Sequence, residues 1–266
     1  MSAAEPRLAL RIIEDLRAVP AAAWDALVGA GGSPFLEWRF LQAFEESGCA
    51  APDTGWQPLH LTLWEESVGD DGKPSERLVA AAPAYLKGHS HGEFVFDWEW
   101  AGVAERLGLR YYPKLLCAVP FTPAAGTRLL VHPDEPPPRR RALKAVLARG
   151  LREVAEELKV SSVHVLFHPC ADADEAPSEH STEVQADEDA AALREAGFLR
   201  RLGVQFQWRN RGYRDFDDYL SRFNAKRRHM LRRERAEIAA QGVRVATRPG
   251  ADLRPEDAAL MHRLYV

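Results

Sequence analysis

Residues 111–123 read YYPKLLCAVPFTP, an almost unbroken apolar run with a single charge, Lys114. A strand buried on both faces has this composition. Such a strand needs structure above and below it, so the chain must fold in layers. Lys114 is expected to snorkel at the strand end rather than to act.

The segments around this run alternate between strand and helix. LALRIIE reads as a strand, and VPAAAWDALVGAGG as a helix opened by Pro20 and closed by glycines. SPFLEWRFLQAFEESG reads as a second helix, with Ser33 as N-cap, Pro34 at its first position and an apolar stripe of Phe35, Trp38, Leu41 and Phe44. QPLHLTLWEE and RLVAAAPAYLKG are two strands, and WAGVAERLG is a short helix. After GTRLLVHP, another strand, RRRALKAVLARGLREVAEELKV is the clearest helix, with Leu143, Leu147, Leu151, Val154 and Leu158 on one face. SSVHVLFHP is a strand. Residues 171–190 hold eight acidic residues and no lysine or arginine, which reads as a solvated loop insert. A short helix follows over DAAALREAGF. Val204, Phe206 and Trp208 alternate with polar residues as a strand, a long helix runs from Asp215 or Asp217 to Gly242, VRVATR is a strand, and RPEDAALMHRLYV is a helix. The expected class is mixed α/β (α+β), with a largely antiparallel sheet flanked by helices. The order suggests two related units, residues 1–200 and an incomplete one over 201–266.

HSHGEFVFDWEWA, residues 89–101, concentrates ionisable groups among aromatics. Read as a strand, it puts His89, His91, Glu93, Val95 and Asp97 on one face and Phe94, Phe96 and Trp98 on the other. The polar face is then either solvated surface or the wall of a cleft that carries a proton-transfer group.

The net charge of −4 hides segregation. From Arg222 to Arg235 seven lysines and arginines face one acid, Glu234, and Arg222, Lys226, His229 and Arg233 share a helical stripe. This surface either balances the acidic insert or docks phosphates of a nucleic acid, a tRNA, coenzyme A or a pyrophosphate lipid. The overall charge makes DNA an unlikely partner. Phosphate-loop and dinucleotide motifs are absent, as is a G-x-S-x-G elbow. HSH and HPC lack structural-zinc spacing, so no metal is expected. Three scattered cysteines, no signal-peptide layout and no apolar run of bilayer length point to a soluble cytoplasmic protein.

SPFLEWRFLQAFEESGC, GWQPLHLTLW, AAAPAYLKGHSHGEFVFDWEWA, YYPKLLCAVPFTPAAGTRLLV and QFQWRNRGYRDFDDYLSRFNAKRRHMLRRER resemble, in order, the FemAB-like N-acyltransferase family. The resemblance runs from about residue 8 to the end. It implies a GNAT-like fold in tandem units, and transfer of an acyl or aminoacyl group from acyl-CoA or aminoacyl-tRNA to an amine. A tRNA or a lipid-linked cell-wall precursor would be a partner, and no cofactor is bound. The base is sought among His91, Glu93 and Asp97, with Tyr112 or backbone amides for the oxyanion. HPDEPPPRRRALK lacks the glycines of the superfamily's pyrophosphate loop, which leaves the helix start with Arg139, Arg140 and Arg141, and the basic helix with Lys226, Arg232 and Arg233, as anion sites. The rival expectation is a non-catalytic module that binds cell-wall precursor or RNA through helix 222–235.

Overall fold

The computed structural model describes residues 6–68, 73–168, 181–203, 208 and 210–266, with backbone only for 181–187. The chain forms two compact units, Met1–Arg201 and Leu202–Val266.

The first unit runs β1 (Arg7–Ile13), α1 (Ala21–Val28), α2 (Trp38–Glu46), β2 (Trp56–Pro58), β3 (His60–Val68), β4 (Pro74–Ala82), β5 (Ala84–Lys87), α3 (Trp98–Arg106), β6 (Lys114–Cys117), β7 (Leu130–Val131), α4 (Pro137–Glu157), β8 (Val163–Val165) and α5 (Ser181–Glu195). The strands form two four-stranded sheets, β1-β3-β4-β7 and β2-β5-β6-β8. Every pair is antiparallel except β6–β8. The mixed, largely antiparallel α/β class read from the sequence holds. So does the doubly covered strand: all four residues of β6 are buried, between β5 and β8.

The two strands read over residues 57–66 and 77–88 are each broken once, at Leu59 and Pro83, and continue into the other sheet. Together they make one antiparallel ribbon that bends from sheet to sheet. At the bend Leu59 N–H donates to the Ala84 carbonyl (2.9 Å). The Ala84 N–H donates to Nδ1 of the buried His60 (3.2 Å), which places the ring proton on Nε2, facing Glu45 Oε1 at 2.8 Å. Glu45 Oε2 in turn accepts from Leu16 N (2.8 Å). One imidazole thus supplies the acceptor that the bent ladder lacks and ties the bend to α2.

The principal core lies between the sheets and α4, whose Leu143, Leu147, Leu151 and Val154 face inward. Leu158, read on the same face, caps the helix and is largely exposed. Gly150 lets α4 approach β1: a Cβ there would meet Leu10 Cδ2 at 2.8 Å. A second cluster packs Trp24 and Leu27 of α1 and Leu41 of α2 against Leu78, Ala81 and Leu130. α5 is pinned by Asp189, fully buried, which accepts from Lys144 Nζ (2.6 Å), Thr127 Oγ1 (2.7 Å) and Arg128 N (2.9 Å).

Several expectations are corrected. The second helix is two pieces: a 3-10 turn over Pro34–Leu36 and then α2, with Ser33 making no capping bond. The N–H of Trp38, at the start of α2, donates instead to Asp25 Oδ1 of α1 (2.7 Å), a cap from another helix. The second half of the acidic segment is helical, within α5; residues 169–180 lie outside the described residues. Segment 89–97 is not a strand, as developed below.

In the second unit, the strand read over 204–209 lies largely outside the described residues. The long helix is two helices, α6 (Phe216–Leu220) and α7 (Ala225–Ala240). Asp215 caps the first through Asp218 N, and Asn224 caps the second through Arg227 N. VRVATR is not a strand. α8 (Pro255–Tyr265) forms as read. No helix of the described residues is long and apolar enough to cross a membrane.

Candidate functional site

Two apolar strands, β5 and β6, each carry one lysine at the end of the run. Lys87 and Lys114 are register partners across the β5–β6 ladder, and both are fully buried. Two like charges directly opposite one another in a dry sheet repel, and each needs a partner or must lose its proton. The two lysines take different solutions.

Lys114 is surrounded by acceptors. Its Nζ donates to Asp97 Oδ2 (2.7 Å) and Ser90 Oγ (3.0 Å) and lies 2.9 Å from Glu93 Oε2. It does not snorkel. Lys87 has no such anion in contact. Its Nζ lies 3.7 Å from the centroid of the Trp56 ring, 3.3 Å from the His91 carbonyl and 3.4 Å from His89 Nδ1. Burial first, and then the charge of Lys114, pull Lys87 down to about 7, against the opposing pull of Glu93.

The carboxylates come from the turn between β5 and α3. Gly92, Phe94 and Phe96 all have positive φ (78°, 59° and 52°), so the backbone cannot alternate as an extended strand does. The parity expected for residues 89–97 therefore fails: Glu93 and Asp97 leave the exposed face and Phe94, Phe96 and Trp98 the buried one, while His91 stays exposed. Ser90, Glu93 and Asp97 turn inward, while Phe94, Phe96 and Trp98 face outward. The electrostatic demand of Lys114 outweighs the burial of three rings.

Glu93 and Asp97 differ in their surroundings. Burial alone would raise Asp97, but hydrogen bonds from Lys114, Ser90 and Tyr111 outweigh it and hold the carboxyl at about 2. The Tyr111 hydroxyl donates to Asp97 Oδ2 at 2.6 Å. Glu93 is pushed above the ordinary glutamate range, chiefly by burial, against the pull of Lys114. Its Oε2 has the Lys114 ammonium beside it, and no other group donates to it among the described residues. One ammonium thus serves two carboxylates, one held firmly ionised and the other raised above the ordinary range.

Tyr112 joins through Ser90, whose Oγ lies 2.7 Å from the Tyr112 hydroxyl. His164 of β8 approaches from the far side. Burial, and then the charge of Lys114, push it down to about 4, so it is neutral at pH 7. Glu93, Asp97 and His164 offer ligand atoms within 4.8 Å of one another, the composition of a divalent-metal site. Lys114 already lies against both carboxylates and supplies the positive charge there, so a metal fits only by displacing it. A cleft of ≈ 490 Å³, lined among others by Arg110, Arg152, Lys159, Ser161 and Ser162, includes none of the cluster residues and connects to them through Ser162. Ser162 Oγ is 3.2 Å from His164 Nε2.

Among the residues expected from the sequence, Glu93, Asp97 and Tyr112 are thus brought together. His91 is not: its exposed ring packs on Trp98 at 4.9 Å and on His89 at 5.0 Å. Arg139 pairs with Glu65 and Glu135, and Arg140 with Glu188. These two arginines are committed to carboxylates rather than held ready for phosphate. In the second unit Lys226 and Arg233 are exposed on α7, and Arg232 pairs with Asp217 at 2.8 Å. Lys114, read from the sequence as snorkelling, belongs to the site, and Lys87, Tyr111, Ser90 and His164 were not identified as site residues. The available signal was a lone lysine in a strand otherwise apolar on both faces, which when buried needs anions nearby or must lose its proton.

A protein-family model described as FemAB-like, peptidoglycan biosynthesis/recognition, matches residues 15–266. No curated protein and no solved structure matches the chain.

Proposed function

The chain belongs to the FemAB-like family of peptidoglycan biosynthesis/recognition, and from that premise we propose that it transfers an aminoacyl or acyl group to an amine of a cell-wall precursor, with Glu93 as the base. The observation that carries this reading is the state of Glu93: buried, held among the described residues by its ion pair with Lys114, and raised in pKa. A carboxylate of that kind is a stronger base than an exposed one.

The reaction needs an amine nitrogen to attack the carbonyl carbon of an ester or thioester. The C–O or C–S bond breaks, Glu93 takes the proton shed by nitrogen, and that proton passes to the departing oxygen or sulfur. Asp97 remains ionised and fixes Lys114 and Tyr111. Lys114 donates to Ser90 and fixes it, and the Tyr112 hydroxyl beside Ser90 is the group assigned to turn its proton to the oxyanion. An aminoacyl-tRNA or an acyl-CoA is the donor.

The test combines donor binding with turnover. A thermal-shift titration with acetyl-CoA, longer acyl-CoAs and aminoacyl-tRNA identifies the donor, and transfer from it to an amine-bearing precursor is then followed. Glu93→Gln should fold and lose on the order of a hundredfold or more in kcat. Full activity in that variant would remove Glu93 from the role. A second reading, a binding module without turnover, is favoured by α7, which buries none of its residues. It expects Glu93→Gln to be silent, and Arg232→Ala/Arg233→Ala to weaken binding and flatten its salt dependence.

A further inference from the structure

The turn that aims Glu93 and Asp97 inward carries an apolar surface on its outside. Phe94 and Phe96 project from it, Phe96 75% exposed. The next element, α3, buries none of its residues. Trp100 (59% exposed), Val103 and Leu107 (67% exposed) lie at i, i+3 and i+7, a stripe along one helical face that Leu109 extends. Contiguous exposed apolar surface of this kind marks an interaction site.

Its rim is positive. Arg201 lies 5.7 Å over the Trp100 ring, Arg106 ends α3, and Arg110 donates to the Lys159 carbonyl. Arg110, Lys159 and Arg152 line the ≈ 490 Å³ cleft that begins where the stripe ends. Arg152 pairs with Glu156 at 3.5 Å, and the remaining four, Arg106, Arg110, Lys159 and Arg201, outnumber the two glutamates of α3, Glu99 and Glu105.

We propose that this face, Phe94 to Arg110 with its basic rim, docks on an anionic phospholipid bilayer. The rings and Leu107 enter the interface while the arginines and Lys159 meet lipid phosphates. Tryptophan and phenylalanine beside arginine suit the boundary between headgroups and acyl chains, and each cation near an anionic surface adds attraction. A second copy of this chain is a poorer occupant, because an isologous contact would set one basic rim against the other. Docking places the site-bearing turn at the membrane surface whether or not the transfer reaction is the one proposed above.

The experiment is co-sedimentation of the chain with phosphatidylcholine vesicles with and without phosphatidylglycerol, at low and high salt. Phe96→Ser and Leu107→Ser are exposed changes, and circular dichroism should show them folded. Binding is expected only with phosphatidylglycerol, weakened by salt, and reduced on the order of tenfold by each substitution. Three outcomes would overturn the proposal. The first is no sedimentation with anionic vesicles. The second is binding indifferent to both substitutions but lost in Arg232→Ala/Arg233→Ala, which would assign the contact to α7. The third is a concentration-dependent dimer, dissolved by Leu107→Ser, in a chain that ignores vesicles.

Discussion

Replacing Lys114 with methionine tests the electrostatic account of the site most directly. Lys114 is 0% exposed, and the Glu93 and Asp97 side chains are each 1% exposed. Methionine fills much of the lysine stem but leaves two carboxylates in a dry pocket without their counter-ion. Breaking a buried ion pair in this way costs about 3–5 kcal/mol, or roughly 6–20 °C in Tm for a unit of this size. The pH dependence gives the sharper signature. In the wild type, Asp97 is depressed from 3.8 to about 2. Its stabilisation is therefore present above pH 3.8 and lost as pH falls through about 2. Without Lys114, Asp97 also shifts above its unfolded value and Glu93 rises further, so the folded variant binds the extra protons and loses stability as pH rises through that range. The gap between wild type and variant should thus be small in acid and widest near neutral pH. Urea unfolding at about pH 4 and at about pH 7 measures it. Asp97→Asn in the variant background should restore part of the loss. A gap under about 1 kcal/mol at neutral pH, or one equal at both pH values, would refute the assignment of Lys114 as shared counter-ion.

Two further outcomes follow from the same burial. Lys87 is held at about 7 against 10.5 when unfolded, so the unfolded chain binds more protons between those values and stability rises with pH there; Lys87→Met should flatten that rise in urea midpoints, and an unchanged slope would count against a desolvated amine. Burial pushes the Cys117 thiol up to about 12, whereas Cys49 is exposed, so iodoacetamide should label Cys49 in the native protein and reach Cys117 only on unfolding, as read by peptide mapping.

The sequence was most informative where local pattern and burial agree. The inward stripe of α4, the strand pattern of β1 and the apolar run of β6 need no tertiary information, because period and composition state which face is covered. It misled where distant partners decide. The N-terminus of α2 is set by Asp25 on α1, and the bend at Leu59 and Pro83 by the imidazole of His60. Neither partner is a neighbour in sequence. The helix break before α7 was closer to legible, since Asn224 stands three residues before Arg227, as a cap should. For the site, the concentration of ionisable types in 89–97 is legible in the sequence, but the side to which Glu93 and Asp97 turn is not. Parity presumes extended backbone, and three residues with positive φ remove that premise. Had the lone Lys114 been weighed as a buried cation in need of anions, the nearby Glu93 and Asp97 would have been drawn inward on electrostatic grounds alone.

The bent ribbon of β2–β3 and β4–β5 has a mechanical consequence. Its terminal register pair is Trp56 and Lys87, the ring and the amine stacked on each other, and the turn bearing Glu93 leaves from that end. The ribbon is therefore a lever whose fulcrum is the His60–Glu45 clamp and whose tip is the site. A displacement of α2, or of the Leu16 amide that shares Glu45, reaches Lys87 and its neighbours through the ribbon, whose β2 is the edge strand of its sheet. The alignment of the two lysines is thus governed from a point that touches neither of them.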